Sequence, residues 1–128
     1  MQLTKAEEQV MQILWSLQEG TVQDILQEFG NNKPARTTIA TVLNILENKS
    51  FAGHRTEGRT NTYYPVVSKE DYSNNQLSSF IKNYFNGSFS SMVSFFAKEN
   101  NLTIDEMDKL LSDTRSLLVE NINETKRE

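Results

Sequence analysis

Six residues in one short stretch, Arg36, Thr37, Thr38, Ala40, Thr41 and Asn44, combine hydroxyl, amide and guanidinium groups with one small side chain. Thr, Asn and Arg are the side chains that hydrogen-bond base edges in the DNA major groove, a channel ~12 Å wide that admits an α-helix. Two more arginines follow, Arg55 and Arg59, and a guanidinium pairs with phosphate oxygens in a planar, two-pronged way. His54 beside them serves packing or a phosphate contact. It is the only histidine, and the chain has no cysteine, so little remains for a metal centre or a nucleophilic triad. Asp105, Glu106 and Asp108 form a carboxylate cluster, but it sits at a helix start, where acids complement the helix dipole. No phosphate-cradling glycine loop, nucleophile elbow or metal-ligand spacing is present. The chemistry expected is therefore binding and not catalysis, with no catalytic residue, no metal and no cofactor.

These groups need elements to hold them. Ile39, Val42, Leu43 and Leu46 recur at i, i+3, i+4 and i+7, which predicts a helix over about 36–49 with one buried stripe. Its opposite face carries Thr37, Ala40, Thr41 and Asn44. An exposed face built only for stability would favour Glu, Lys and Gln, and each threonine weakens a helix by several tenths of a kcal/mol, ~0.5. A local rule broken on a solvent face marks a working surface. Two helices precede it. Thr4-x-x-Glu7 and Thr21-x-x-Asp24 are capping boxes, and Gly20 and Gly30 are placed to end the two helices in left-handed turns. Pro34 suits the start of the third. After it, Phe51 to Thr56 and Asn61 to Val67 read as strands around a Glu57-Gly58-Arg59 turn. Arg55 and Arg59 then project from a β-ribbon beside the Thr-rich helix. Helices followed by a basic ribbon form the winged helix-turn-helix arrangement.

Charge agrees with this placement. The 128 residues carry 13 basic and 17 acidic side chains, a net −4. Residues 33–69 alone are net +4, and the segments on either side are net −4 each. Salt screens charges more than ~10 Å apart, so a basic patch acts locally on an acidic chain. No apolar run approaches the ~20 residues of a membrane span, and MQLTKAEEQV lacks the layout of a signal peptide, so a cytoplasmic protein without membrane insertion is expected.

Beyond the ribbon, Ser68-x-x-Asp71 opens a fourth helix, a fifth covers about 88–99, and Thr103-x-x-Glu106 caps a last one. These short helices carry more aromatic and aliphatic surface than one small domain can cover. Phe80, Tyr84, Phe85, Phe89, Val93, Phe96, Leu110, Leu117 and Leu118 are therefore assigned to an interface with a second copy. The fold expected is mainly α with a small β-hairpin wing: a winged helix-turn-helix domain over 1–68 and a helical dimerisation domain over 69–128. A winged helix that binds protein instead of DNA is the competing function.

Leu3-Thr4-x-x-Glu7-x-x-Val10-Met11-x-x-Leu14-Trp15, then Thr21-Val22-x-Asp24-Ile25, Thr38-Ile39-x-Thr41-Val42-Leu43 and Gly58-Arg59-x-x-x-Tyr63-Tyr64-Pro65-Val66-Val67-Ser68 together resemble the BlaI/MecI penicillinase-repressor family, which includes the CopY copper repressors. The likeness continues through Phe85, Gly87-Ser88, Met92-Val93 and Leu102-Thr103-x-x-Glu106, and so covers about residues 3–118. It implies a homodimeric winged-helix repressor on a palindromic double-stranded operator of a resistance or stress operon. It places Arg36, Thr37, Ala40 and Thr41 in the groove and Arg55 and Arg59 on the wing. It also implies a sensor-protease partner cutting an Asn–Phe bond in the fifth helix, where this chain has Phe95-Phe96 preceded by Ser94. The cysteine pair of the copper-sensing branch is absent, which excludes copper sensing by that route.

Overall fold

The computed structural model describes residues 2–127, with side chains for residues 2–123. Eight elements follow in order: α1 (Lys5–Leu17), α2 (Val22–Gln27), α3 (Arg36–Asn48), β1 (Ala52–Glu57), β2 (Thr60–Pro65), α4 (Lys69–Phe85), α5 (Phe89–Glu99) and α6 (Ile104–Arg127). The mainly helical chain with its two-stranded antiparallel hairpin has the winged-helix order expected. The chain forms two compact units, Met1–Leu77 and Ser78–Glu128. No helix of the described residues is long and apolar enough to cross a membrane.

Local chemistry sets the starts of the helices. The Glu7 N–H donates to Thr4 Oγ1 and the Thr4 N–H to Glu7 Oε1, each at 3.3 Å. Thr21 and Asp24 exchange the same pair of bonds at 3.1 and 3.0 Å. The α3 start, with Ala35 at the cap, has no side-chain cap. At the other end of α3, Ser50 takes a φ of 65°, and the Phe51 N–H reaches back to Leu46 O at 2.9 Å, closing the helix in a Schellman motif.

The core of the first unit joins three helices and the hairpin. Met11, Leu14, Ile25, Leu43 and Leu46 are fully enclosed, with Val10, Ile39, Val42, Phe51 and Tyr63 around them. All four residues of the expected α3 stripe are among them. Burying an aliphatic side chain of this size stabilises by ~1.5–3 kcal/mol, so this stripe holds the opposite face of α3 outward.

Two expectations need correcting. Gly20 does not end α1: the helix stops at Leu17, and Gln18 takes the positive φ of 70°. Gly20 instead exchanges both backbone hydrogen bonds with Tyr63 of β2, at 2.9 and 2.8 Å, and so adds a one-residue bridge to the hairpin. A Cβ there would lie 3.2 Å from Leu17 Cδ1 and from Asp24 Cβ, so close approach explains the glycine. The compact units divide at Leu77/Ser78, inside α4. The first turn of α4 belongs to the first core, because Tyr72 is buried with ring centres 5.6 Å from Trp15 and 5.8 Å from Phe51. The second correction is that the C-terminal helices α4 and α6 are not short: α4 has 17 residues and α6 has 24, about 36 Å of helix at ~1.5 Å per residue.

Candidate nucleic-acid interface

Burial of Ile39, Val42, Leu43 and Leu46 leaves Arg36, Thr37, Thr38, Ala40, Thr41 and Asn44 exposed on α3. Thr37, Ala40, Thr41 and Asn44 form one strip at helical spacing, with Arg36 on one flank and Thr38 on the other. Thr38 departs from the strip. It lines a cleft with Val10, Ile13, Phe29 and Pro34, of about 520 Å³. The Thr41 hydroxyl donates to Thr37 O at 2.9 Å. Its hydrogen is committed, and its lone pairs remain to accept a bond. The Arg36 guanidinium donates to Gln23 Oε1 of α2 at 3.3 Å, so the helix-turn-helix partner steadies this arginine.

The ribbon is set by register. His54 pairs with Tyr63, Arg55 with Thr62 and Glu57 with Thr60, around a two-residue turn at Gly58-Arg59. Gly58 takes a φ of +64°, the conformation that glycine supplies at no steric cost in tight hairpins. Gly53 lies under the Tyr64 ring, where a Cβ would meet three ring atoms at 3.0 Å.

Alternation puts Arg55 and Glu57 on one face of β1. The Arg55 guanidinium is hydrogen-bonded to Glu57 Oε1 at 2.9 Å and ion-paired with Glu19, from the turn between α1 and α2. The two carboxylates raise the Arg55 pKa further above its already high ordinary value, Glu19 first and Glu57 second. Arg59, at the tip, has no hydrogen bond or ion pair among the described residues. The two wing arginines, equivalent by sequence, thus sit in different electrostatic settings.

Two further ties were invisible to local reading. His54 Nδ1 lies 2.8 Å from Glu47 Oε2, and its ring lies 5.3 Å from that of Tyr63, which links the ribbon to the last turn of α3. Lys49, counted with the basic third, is held by nearly buried Glu7 at 2.6 Å. That hydrogen bond is the largest cause holding the Glu7 carboxyl below its ordinary range, against the opposing effect of burial. With Arg55 and Lys49 compensated, Lys33, Arg36, Arg59 and Lys69 are the cations of residues 33–69 that remain without a carboxylate partner among the described residues.

In the second unit, none of the residues with a described side chain is buried. Phe80, Tyr84, Phe89, Phe96, Leu110, Leu117 and Leu118 are exposed, while Phe85 and Val93 are half-covered. Phe80 stacks near Tyr84 and Phe85, at 4.9 and 5.9 Å between ring centres, and Phe85 lies 5.6 Å from Phe95. Phe95 and Phe96, in the middle of α5, are 56% and 59% exposed.

Residues 3–114 match a family model described as penicillinase repressor. The chain is 29% identical to the penicillinase repressor of Bacillus licheniformis over 110 residues, which is 85% of this chain and 86% of that one. It is 27% identical to the methicillin resistance regulatory protein MecI of Staphylococcus aureus strain N315, over 85% of this chain and 89% of that one. The complex structure of hsRosR-S4 aligns with 91% of this chain and 92% of its own at 14% identity and a TM-score of 0.51, a likeness of fold.

Proposed function

Because the chain belongs to the penicillinase repressor family, and so to the DNA-binding repressors of the BlaI/MecI type, we propose that it represses as a homodimer on a palindromic operator of a resistance or stress operon. The observation that carries this reading is the small, hydrogen-bonding strip of α3, held outward by a buried stripe, with Arg36 on its flank and Arg59 at the hairpin tip both without a carboxylate partner among the described residues. Thr37, Ala40, Thr41 and Asn44 enter the major groove, and the small side chains allow close approach. Thr41, whose hydrogen is committed to Thr37 O, can only accept, so it reads the amino group of an adenine or a cytosine. Arg36, steadied by Gln23, donates to a base edge or a phosphate at the groove's rim. Arg59 at the hairpin tip neutralises a phosphate or enters the adjacent minor groove. Thr38 supports the flank of the helix.

The second unit pairs two copies. Among the described residues its helices bury no side chain of their own, and a mutual interface is the simplest cover for so much apolar surface. A two-fold dimer presents two α3 helices to two half-sites, which is why the operator is palindromic. The site of action is the cytoplasm, where the DNA is. A sensor-protease partner meets the exposed Phe95–Phe96 bond in α5, with phenylalanine on the side where the related repressors have asparagine.

The test is a DNase footprint of the purified protein on the promoter of its own operon, repeated across a salt titration. A protected palindrome whose occupancy falls steeply with salt is expected, because each phosphate contact releases counterions. No protection at low salt by a folded protein rejects the repressor reading and favours a winged helix that binds protein.

A further inference from the structure

The ribbon and the turn between α1 and α2 bring a cation and two anions together: alternation along β1 sets Glu57 beside Arg55, and Glu19 comes from the turn. Gly20 bridges Tyr63 on one side of β2, and β1 lies on the other. The Arg55 side chain therefore reaches across β2 to pair with Glu19, while also holding Glu57 on its own strand. The trio is solvent-accessible: the Arg55 and Glu19 side chains are each 49% exposed and Glu57 is 70% exposed. Exposed pairs of this kind contribute little to stability and exchange partners easily.

We propose that Glu19, Arg55 and Glu57 form a latch that withholds a wing arginine from DNA and so sets the repressor's overall affinity. Arg55 is a reserve cation, not a standing phosphate contact. Phosphate can replace the carboxylates only by breaking two charge-assisted hydrogen bonds, and the freed carboxylates then face the polyanion. The latch costs affinity on every sequence alike, because phosphates carry no sequence information. It keeps non-specific binding low while the α3 strip reads bases. The inference rests on the DNA-binding reading and adds a residue-level control to it.

The experiment is a four-variant cycle read by fluorescence anisotropy on operator and random duplexes across salt: the full chain, Glu19→Gln/Glu57→Gln, Arg55→Met, and the triple substitution. Freeing one cation for one phosphate should tighten binding on the order of eightfold at ~0.1 M salt and steepen the salt slope by about 0.9. The double glutamine variant should show this on both duplexes. In the Arg55→Met background the same glutamines should give less than threefold and leave the slope unchanged. Equal gains in both backgrounds, or no gain with Arg55 present, overturn the latch while leaving the repressor reading intact. No binding by any of the four overturns both. Circular dichroism establishes folding, and Glu57→Gln alone, at the exposed hairpin, stands in if the double variant misfolds, with half or more of the gain expected to need Arg55.

Discussion

At the residue scale, side-chain type and side-chain setting carry different information. The α3 strip could be read from type and spacing, and all of Arg36, Thr37, Ala40, Thr41 and Asn44 stand exposed where periodicity puts them. The Glu19 partner of Arg55 and the partners of Lys49 and His54 could not, because each comes from outside the residue's own element; Lys49 and Glu7 are 42 positions apart. Thr41→Ala should change which bases are preferred, with little change on random DNA, whereas Arg59→Ala should weaken both and lower the salt slope by ~0.9. Competition binding with single-base operator variants separates them; equal losses on operator and random DNA for both substitutions would contradict this division of labour. The Glu7–Lys49 pair makes a second prediction. Glu7 titrates lower in the folded protein than its ordinary value of 4.5, so its contribution is complete above that value and is lost as pH falls through the folded one. Lys49→Met strands a nearly buried carboxylate and should cost about 2 kcal/mol at pH 7, with a smaller further loss on acidification. Urea unfolding at pH 7 and pH 4 measures both. Tyr72 acts at the opposite end of the scale. Burial first, and the bond it donates to Glu8 second, raise its pKa above 10, so its contribution holds below pH 10 and fails above it.

At the element scale, what is local in sequence was legible. The capping boxes at Thr4-x-x-Glu7, Thr21-x-x-Asp24 and Thr103-x-x-Glu106 all form, since each needs only groups three residues apart. The hairpin was legible too, one residue out at its turn. Gly20 is ambiguous in sequence, because a glycine that ends a helix and one that lets two backbones meet look alike there. Only the distant pairing with Tyr63 tells them apart. The extent of α4 within the first unit rests likewise on a distant stack, that of Tyr72 on Trp15 and Phe51. Gly58 gives a prediction at this scale. Nothing lies within 4 Å of a Cβ there, so a substitution is felt only through its φ of +64°. Gly58→Val should destabilise the hairpin by ~1–2 kcal/mol, and Gly58→Asn by much less, because asparagine tolerates this region. Amide exchange across β1 and β2 should report the difference while the core of α1 and α3 stays protected.

At the scale of the whole molecule, one unit has a core and the other has none of its own among its described side chains. The surplus of apolar residues was visible in composition and spacing; which copy or partner covers it is not encoded by periodicity. The chain should sediment as a dimer at micromolar concentration. Leu117→Asp/Leu118→Asp, at two exposed positions of α6, should yield a monomer whose first unit keeps its melting temperature. Its affinity for a full operator should fall to that for a half-site, and a variant that remains dimeric would remove these leucines from the interface. A dimer of this kind should also make stability concentration-dependent, because association favours the folded state by mass action. A last consequence lies in the chain's one tryptophan. The Trp15 indole donates to Val67 O at 2.9 Å, where the chain leaves the ribbon for α4, and it stacks on Tyr72. Its emission is therefore a built-in optical probe of that junction. Dilution through the dimer–monomer transition should leave its wavelength unmoved, whereas any signal that loosens the ribbon from α4 should shift it to the red.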